Sequence, residues 1–217
     1  VAGAPVAEVG TGSCGRAFPG GRRALGGRHG VGPFPGDAQV YIAERRQEER
    51  DRRRAEIVDA AEALYAEVGW DAVTMDQVAR RARLSRALVY VYFHDKADLH
   101  FALVERSLEE LRRRFEAARE GKTGGIDEVE AIGRAYLAFA RELPHYFDAC
   151  ARFQAHASAD GNLPPNESAC MTVGHRVHEV IVASLNRGTA DGSVRPDIGD
   201  PYVTALSLWA FCHGVIQ

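Results

Sequence analysis

The sequence predicts an all-α fold: an N-terminal three-helix helix-turn-helix domain followed by a second α-helical domain. Two observations carry this. Apolar residues recur at three- and four-residue steps in one segment after another, and no stretch shows the strict alternation of a half-buried strand. Between residues 54 and 99, helix start and stop signals fall where one long helix, two short ones at a tight turn and the opening of another long helix would place them.

Residues 1–38 stand apart. They hold eleven of the 22 glycines and four of the nine prolines, and they cannot bury enough apolar surface to fold alone. They read as a flexible Gly/Pro-rich arm without the basic start and apolar run of a signal peptide. The opening valine fits a fragment, or an alternative or wrongly assigned start.

Residues 39–95 make the helix-turn-helix domain. The run YIAERRQEERDRRR before Ala55 is dense in helix formers and extends the first helix backward. Ile57, Ala60, Ala61, Leu64, Tyr65 and Val68 are the buried stripe of that helix, and Gly69 stops it. Thr74 and Gln77 form a Thr-x-x-Gln capping box, which starts a short helix carrying Val78, Ala79 and Ala82 inward and ending by Arg83. Ser85 caps a second short helix that ends near Tyr90, Tyr92 and Phe93. Two short helices joined by about three residues place the second in the DNA major groove.

Charge points the same way. From residue 80 to 96 the basic residues Arg80, Arg81, Arg83, Arg86 and Lys96 meet Asp95 alone. From residue 55 to 77 there are Glu56, Asp59, Glu62, Glu67, Asp71 and Asp76 and no basic residue. Positive charge is thus gathered at the second short helix, where neutralised phosphates would release counterions. A solvated helix face is the plainer alternative.

Residues 96–217 form the second domain. Asp95 caps a helix over 96–120 with Leu99, Ala102, Leu103, Leu108, Leu111 and Phe115 apolar, ended by Gly121 and Gly124-Gly125. Ile126 to Leu143 follows, burying Val129, Ile132, Tyr136, Leu137, Phe139 and Ala140. Pro144 breaks it and opens the next helix, which carries Tyr146, Phe147, Cys150 and Phe153 and fades at Asp160-Gly161. Pro164-Pro165 opens a helix from about Asn166 to Asn186, with Gly188 to Pro196 as loop. Pro201 starts the last helix, apolar nearly all round from Tyr202 to Ile216. Such a helix must be covered on every side, one face by its own chain and the other by a second chain or a further segment, unless it is simply a core helix.

The net charge of −3 assigns no partner. No apolar run reaches the roughly 18 residues needed to cross a bilayer, so no membrane partner is expected. Cys14, Cys150, Cys170 and Cys212 show no C-x-x-C spacing and read as free thiols of a reduced, cytoplasmic protein. His175 and His178 lie one helical turn apart, with His145 and His156 not far in sequence, but no set of ligands completes a metal site. His156, Ser158 and Asp160 project in different directions from one helix and cannot form a relay. No Gly-x-Ser-x-Gly, phosphate-cradling loop or zinc motif is present, so no catalytic residue, metal or cofactor is assigned and the chain is not read as an enzyme.

The stretch from Ile57 to Leu99 resembles the DNA-binding domain of the tetracycline-repressor (TetR) family. The resemblance runs through Ile57, Ala60-Ala61, Leu64-Tyr65, Glu67, Gly69, Val73-Thr74-Met75, Val78-Ala79, Ala82, Leu84-Ser85, Tyr90, Tyr92-Phe93, Lys96 and Leu99. It implies phosphate contacts from Thr74, Tyr90 and Lys96, and counts Ser85, at the head of the second short helix, among the DNA-binding residues. It places Arg86, Ala87, Leu88, Val91 and Tyr92 toward base edges or sugars. Arg86 can fork onto guanine, and Ala87 or Val91 can meet a thymine methyl, although Arg86 serves a phosphate equally well. Arg50, Arg52, Arg53 and Arg54 lie where the family has an arm near the minor groove or backbone; a salt-bridged helix start is the alternative. Arg83 stands where the family usually has glycine, so a left-handed backbone there costs roughly 1 kcal/mol.

The resemblance also implies that the second domain binds a ligand and dimerises. A small-molecule effector would sit among Phe101, Phe115, Tyr136, Phe139, Phe147, Phe153, Gln154, Met171 and His175, although aromatic residues at helical spacing are also ordinary core. Trp209, His213 and Gly214 would lie at the homodimer interface, with a further C-terminal helix expected beyond the given end. The implied activity is a homodimeric repressor on double-stranded DNA, at a palindromic operator with half-sites about one helical turn apart or slightly more, released by ligand. A ligand-independent architectural protein of the same fold is the alternative, and it requires a tightly packed C-terminal half.

Overall fold

A computed structural model describes residues 35–153 and 163–217, with side chains from residue 39 onward. Most of the expected arm lies outside these residues, as do Cys14, Gln154, His156, Ser158 and Asp160. Residues 1–43 and 44–217 form separate units. The described residues fold into α1 (Pro35–Val68), α2 (Met75–Arg81), α3 (Arg86–Tyr92), α4 (Lys96–Arg119), α5 (Gly125–Glu142), α6 (Pro144–Ala151), α7 (Pro165–Asp191) and α8 (Pro201–Ile216), with a 3-10 turn at Trp70–Ala72. Among them there is no strand.

The signals in the head act as written. The Thr74 hydroxyl accepts from Gln77 N at 3.3 Å while Gln77 Oε1 accepts from Thr74 N at 2.7 Å, closing the capping box. The Ser85 hydroxyl accepts from Leu88 N at 3.2 Å, and the Asp95 carboxylate from Asp98 N at 2.8 Å. Arg83 sits at φ 57°, the one positive-φ residue besides glycine among those described. Leu84 N reaches back to the Ala79 carbonyl at 2.9 Å, so the left-handed residue closes the end of α2. Arg83→Gly is expected to stabilise the fold by about 1 kcal/mol, read as a higher urea midpoint; an unchanged or lower midpoint contradicts it.

Two cores hold the described residues from 44 onward. In the first, Ile57, Val58, Val78, Val89 and Phe93 pack with Leu99, Leu103 and Val104 of α4 and reach Ala149 and Cys170. In the second, Leu111 and Phe115 of α4 pack with Ile132, Tyr136 and Phe139 of α5, Val177, Ile181 and Leu185 of α7, and Ala205 of α8. The helix α4 enters both, so the head is fastened to the body along one rod.

Three expectations are corrected. The helix α7 continues to Asp191, and Gly192 at φ 77° ends it. Gly188 lies inside the helix, where the backbone of α5 touches it: a Cβ on Gly125 would lie 2.0 Å from Gly188 N and 2.6 Å from the Ser184 carbonyl oxygen, while a Cβ on Gly188 itself would meet Val194 Cγ2 at 2.5 Å. The helix α6 ends at Ala151 rather than near Asp160. The carboxylates of residues 55–77 are paired, not bare. Arg106 holds Asp59 and Glu62 at 2.7 Å, Arg81 holds Glu67 at 2.6 Å, Arg152 holds Asp71 at 3.0 Å, and Arg53 holds Glu56 at 2.9 Å. Their partners come from outside residues 55–77: Arg53 precedes them, and Arg81, Arg106 and Arg152 follow. Cys150, Cys170 and Cys212 are free thiols, and no described helix is long and apolar enough to cross a membrane.

Candidate nucleic-acid interface and ligand cavity

The helix α3 is amphipathic within seven residues. Val89 and the following Phe93 are fully buried, which fixes the roll of the helix and turns Arg86, Ala87, Tyr90 and Val91 outward. Leu88 and Tyr92 are half-buried at its flanks. Arg86 Nε stands 3.2 Å from Asp76, and its guanidinium lies over the Tyr90 ring at 5.5 Å. That exposed pair is weak enough to be exchanged for a duplex contact. The Arg50 guanidinium lies 5.9 Å from the centre of the Tyr92 ring, bringing α1 to the same surface. Thr74 is exposed at the start of α2. Lys96 is half-buried: its ammonium sits 5.0 Å over the Trp70 ring and donates to the Asp71 carbonyl at 3.2 Å. Burial lowers its pKa.

The helices α4, α6, α7 and α8 line a partly open cavity of about 510 Å³. Val104 and Leu108 line it from α4, Cys150 and Ala151 from α6, and Phe153 just beyond. From α7 come Cys170, Met171, Gly174, His175 and His178; from α8 come Tyr202, Leu206, Trp209 and His213, with Gln217 after it. A second hollow of about 80 Å³ lies between α4, α5, α7 and α8, beside Phe115, Tyr136 and Trp209.

Residues 57–103 match the family model "Bacterial regulatory proteins, tetR family", and residues 129–217 match "Tetracyclin repressor-like, C-terminal domain". The chain belongs to the TetR family. It is 29% identical over 164 residues to the HTH-type transcriptional regulator HbdR of an Aromatoleum species, a match covering 75% of this chain and 68% of HbdR. It is 36% identical over 79 residues to an HTH-type transcriptional repressor of Mycobacterium tuberculosis, covering 36% of this chain and 41% of that one. A solved structure of a protein with unknown function from a Rhodococcus species aligns with a TM-score of 0.62 at 26% identity, covering 76% of this chain and 80% of that one. The chain spans less than half the length of several curated relatives.

Several site residues of this TetR-family chain sit elsewhere than the sequence suggested. Phe153, Met171 and His175 line the larger cavity, and Phe115 and Tyr136 the smaller hollow. Phe139 is fully buried core, and Phe101 lies behind the wall with its ring edge-on to Phe153 at 6.0 Å. The Phe147 ring lies tilted against His213 at 4.8 Å without lining either space. Trp209 and His213, expected at a dimer interface, turn toward their own chain: the Tyr136 hydroxyl is 2.6 Å from His213 Nδ1, and the Trp209 and His213 rings stack at 5.1 Å. Gly214 is exposed with open space at its Cβ. The most exposed large apolar residues of α8 are Val203, Phe211 and Val215. His178 and Tyr202 had no signal as cavity residues, because α7 and α8 offer several helical faces and only packing selects one. Among the described residues no group of three His, Cys, Asp or Glu is placed to hold a metal.

One further set of contacts joins cavity and head. The Tyr65 hydroxyl donates to Asp148 at 2.7 Å, and Arg152 bridges Asp148 at 2.8 Å and Asp71 at 3.0 Å. Burial and the Asp148 carboxylate raise the Tyr65 pKa. Cys150 and Ala151, on the cavity wall, lie between those two clamp residues in sequence.

Proposed function

We propose that this chain is a homodimeric repressor that grips a palindromic operator through α3 and lets go when a small molecule fills the C-terminal cavity. The observation that carries the reading is the cavity of about 510 Å³, a volume in the range of small-molecule sites, in the half where an architectural protein would be packed solid. Its wall on α6 runs into the Asp148–Arg152 clamp on the head, so occupancy has a route to the reading surface. The dimer is supported by α8, where Phe211 is 70% and Val215 69% exposed; an apolar face of that kind calls for a cover.

Arg86 is the residue on which sequence reading is expected to turn. A binding site selected from random duplexes should be a palindrome with half-sites about one helical turn apart. Arg86→Ala should weaken binding to that site by about tenfold or more while leaving random DNA nearly unaffected, because a guanidinium forked on guanine is worth about 1–3 kcal/mol of discrimination. Equal loss on both duplexes would make Arg86 a backbone contact. Lys96→Ala, by contrast, should weaken all duplexes alike and shallow the slope of log affinity against log salt by about 1. An unchanged affinity and slope in a salt titration by fluorescence anisotropy would remove Lys96 from the phosphate contacts.

A further inference from the structure

The guanidinium of Arg86 is held from two sides on the reading surface. Its Nη1 donates to Asp76 Oδ2 at 3.4 Å, and Nε lies 3.2 Å from Oδ1 of the same carboxylate. Its Nη2 donates to the Tyr90 hydroxyl at 3.5 Å, with the centre of the Tyr90 ring 5.5 Å away. The two holds come from different elements. Asp76 stands in the first turn of α2, where the Thr74–Gln77 capping box fixes the backbone. Tyr90 follows Arg86 by one turn of α3, whose roll is set by buried Val89. Both charged side chains are more than half exposed, so a duplex has access to the pair.

A carboxylate in the first turn of a helix also has a plainer role, because it complements the positive end of the helix dipole. That role needs no partner on α3. The pairing with Arg86 adds something else, a change in what the arginine recognises. An unpaired guanidinium is drawn to any phosphate, whatever the sequence. Beside Asp76 the pair carries no net charge, while Nη1 and Nη2 each keep one N–H beyond the bonds they already make. A phosphate bound there would abut the Asp76 carboxylate and be repelled. The O6/N7 edge of guanine is uncharged and meets no such repulsion.

Resting on the reading that α3 lies in the major groove, we propose that Asp76 is a specificity-determining residue, which neutralises and orients Arg86 so that the arginine serves a guanine edge and adds little on random sequence. Asp76 needs no base contact of its own. It is a positioning residue that acts through Arg86, and its removal turns a selective donor into one more phosphate-seeking cation.

The test is fluorescence anisotropy on the full chain across a salt series, with the operator selected by the wild-type protein and a scrambled duplex of the same composition. Asp76→Asn keeps the shape of the side chain and removes its charge. It should raise affinity for the scrambled duplex about threefold and steepen the salt slope there by about 0.9, the mark of one more phosphate contact. No matching gain is expected on the operator, so the operator-over-scrambled ratio falls about three- to fivefold, the span of an exposed ion pair. Asp76→Glu retains the charge and should restore most of the ratio. In the Arg86→Ala background, Asp76→Asn should shift both duplexes alike and leave the ratio where Arg86→Ala alone puts it. An equal gain on both duplexes with Arg86 present, a ratio that falls as far without Arg86 as with it, or an Asp76→Glu ratio no better than that of Asp76→Asn overturns the proposal. A wild-type ratio near one sinks the operator reading and the proposal together. A high wild-type ratio that Asp76→Asn leaves unchanged sinks the proposal alone.

Discussion

Glu128→Ala is expected to destabilise the protein by about 3 kcal/mol. The Glu128 side chain is 2% exposed at the start of α5 and is held from three directions: by Arg119 of α4 at 2.9 Å, by the Ser184 hydroxyl of α7 at 2.8 Å, and by Arg187 of α7. Removing one member of a buried ionic cluster leaves the others desolvated without compensation and typically costs about 3–5 kcal/mol. The low end applies because Arg119 and Arg187 both retain access to water. Burial pushes the Glu128 pKa up, but the Ser184 bond and the two guanidinium groups outweigh it and hold the carboxyl below its ordinary range. A group with a depressed folded-state pKa contributes stability that is complete above its unfolded value, about 4.3, and disappears as pH falls through the folded value. The gap between wild type and Glu128→Ala in urea midpoints should therefore be wide at pH 7 and narrow on acidification below about pH 4. A gap that is small at pH 7, or that stays constant into acid, contradicts the cluster's assigned role.

The head was legible in the sequence because its information is local. A capping box, an N-cap serine and a stop glycine each act within four residues, and the Thr74, Ser85 and Gly69 geometries follow from them directly. Arg83 was legible by departure: a bulky residue where the turn needs a left-handed backbone, and the backbone is left-handed. The body was legible as helices and much less so as faces. Gly188 looks like a helix stop, yet it is where two backbones touch, and only the position of Gly125 63 residues earlier reveals that. Trp209 and His213, both half-buried, show the same dependence on distant packing. A helix apolar on all sides gives no sequence cue as to which side meets its own chain, and the Tyr136 hydroxyl that draws them inward comes from α5. The pairing of the acidic run before the turn was only partly legible: Arg53 lies one helical turn from Glu56, but Arg106 and Arg152 reach Asp59 and Asp71 from 47 and 81 residues away.

Phe93→Ala and Val91→Ala, two truncations within three residues, are expected to separate folding from reading. Phe93 is 0% exposed, closes the inner end of α3 and lies beneath the Arg54 guanidinium at 5.5 Å. Arg54 itself donates to Asn166 of α7 at 2.8 Å. Emptying a filled aromatic site costs about 3–5 kcal/mol, and here the cavity would open under the reading helix. Phe93→Ala should thus lower the unfolding midpoint sharply and lose affinity for every duplex together, since α3 loses the anchor that sets its roll. Val91 is 67% exposed and touches no core, so its truncation should leave stability within about 0.5 kcal/mol. Its effect on DNA should be confined to the selected operator, where a methyl contact is lost. Comparison of the two denaturation midpoints with affinities on operator and random duplex decides the matter. If Val91→Ala destabilises as Phe93→Ala does, α3 is packed on the side taken here to be free, and the proposed DNA-reading face is wrong.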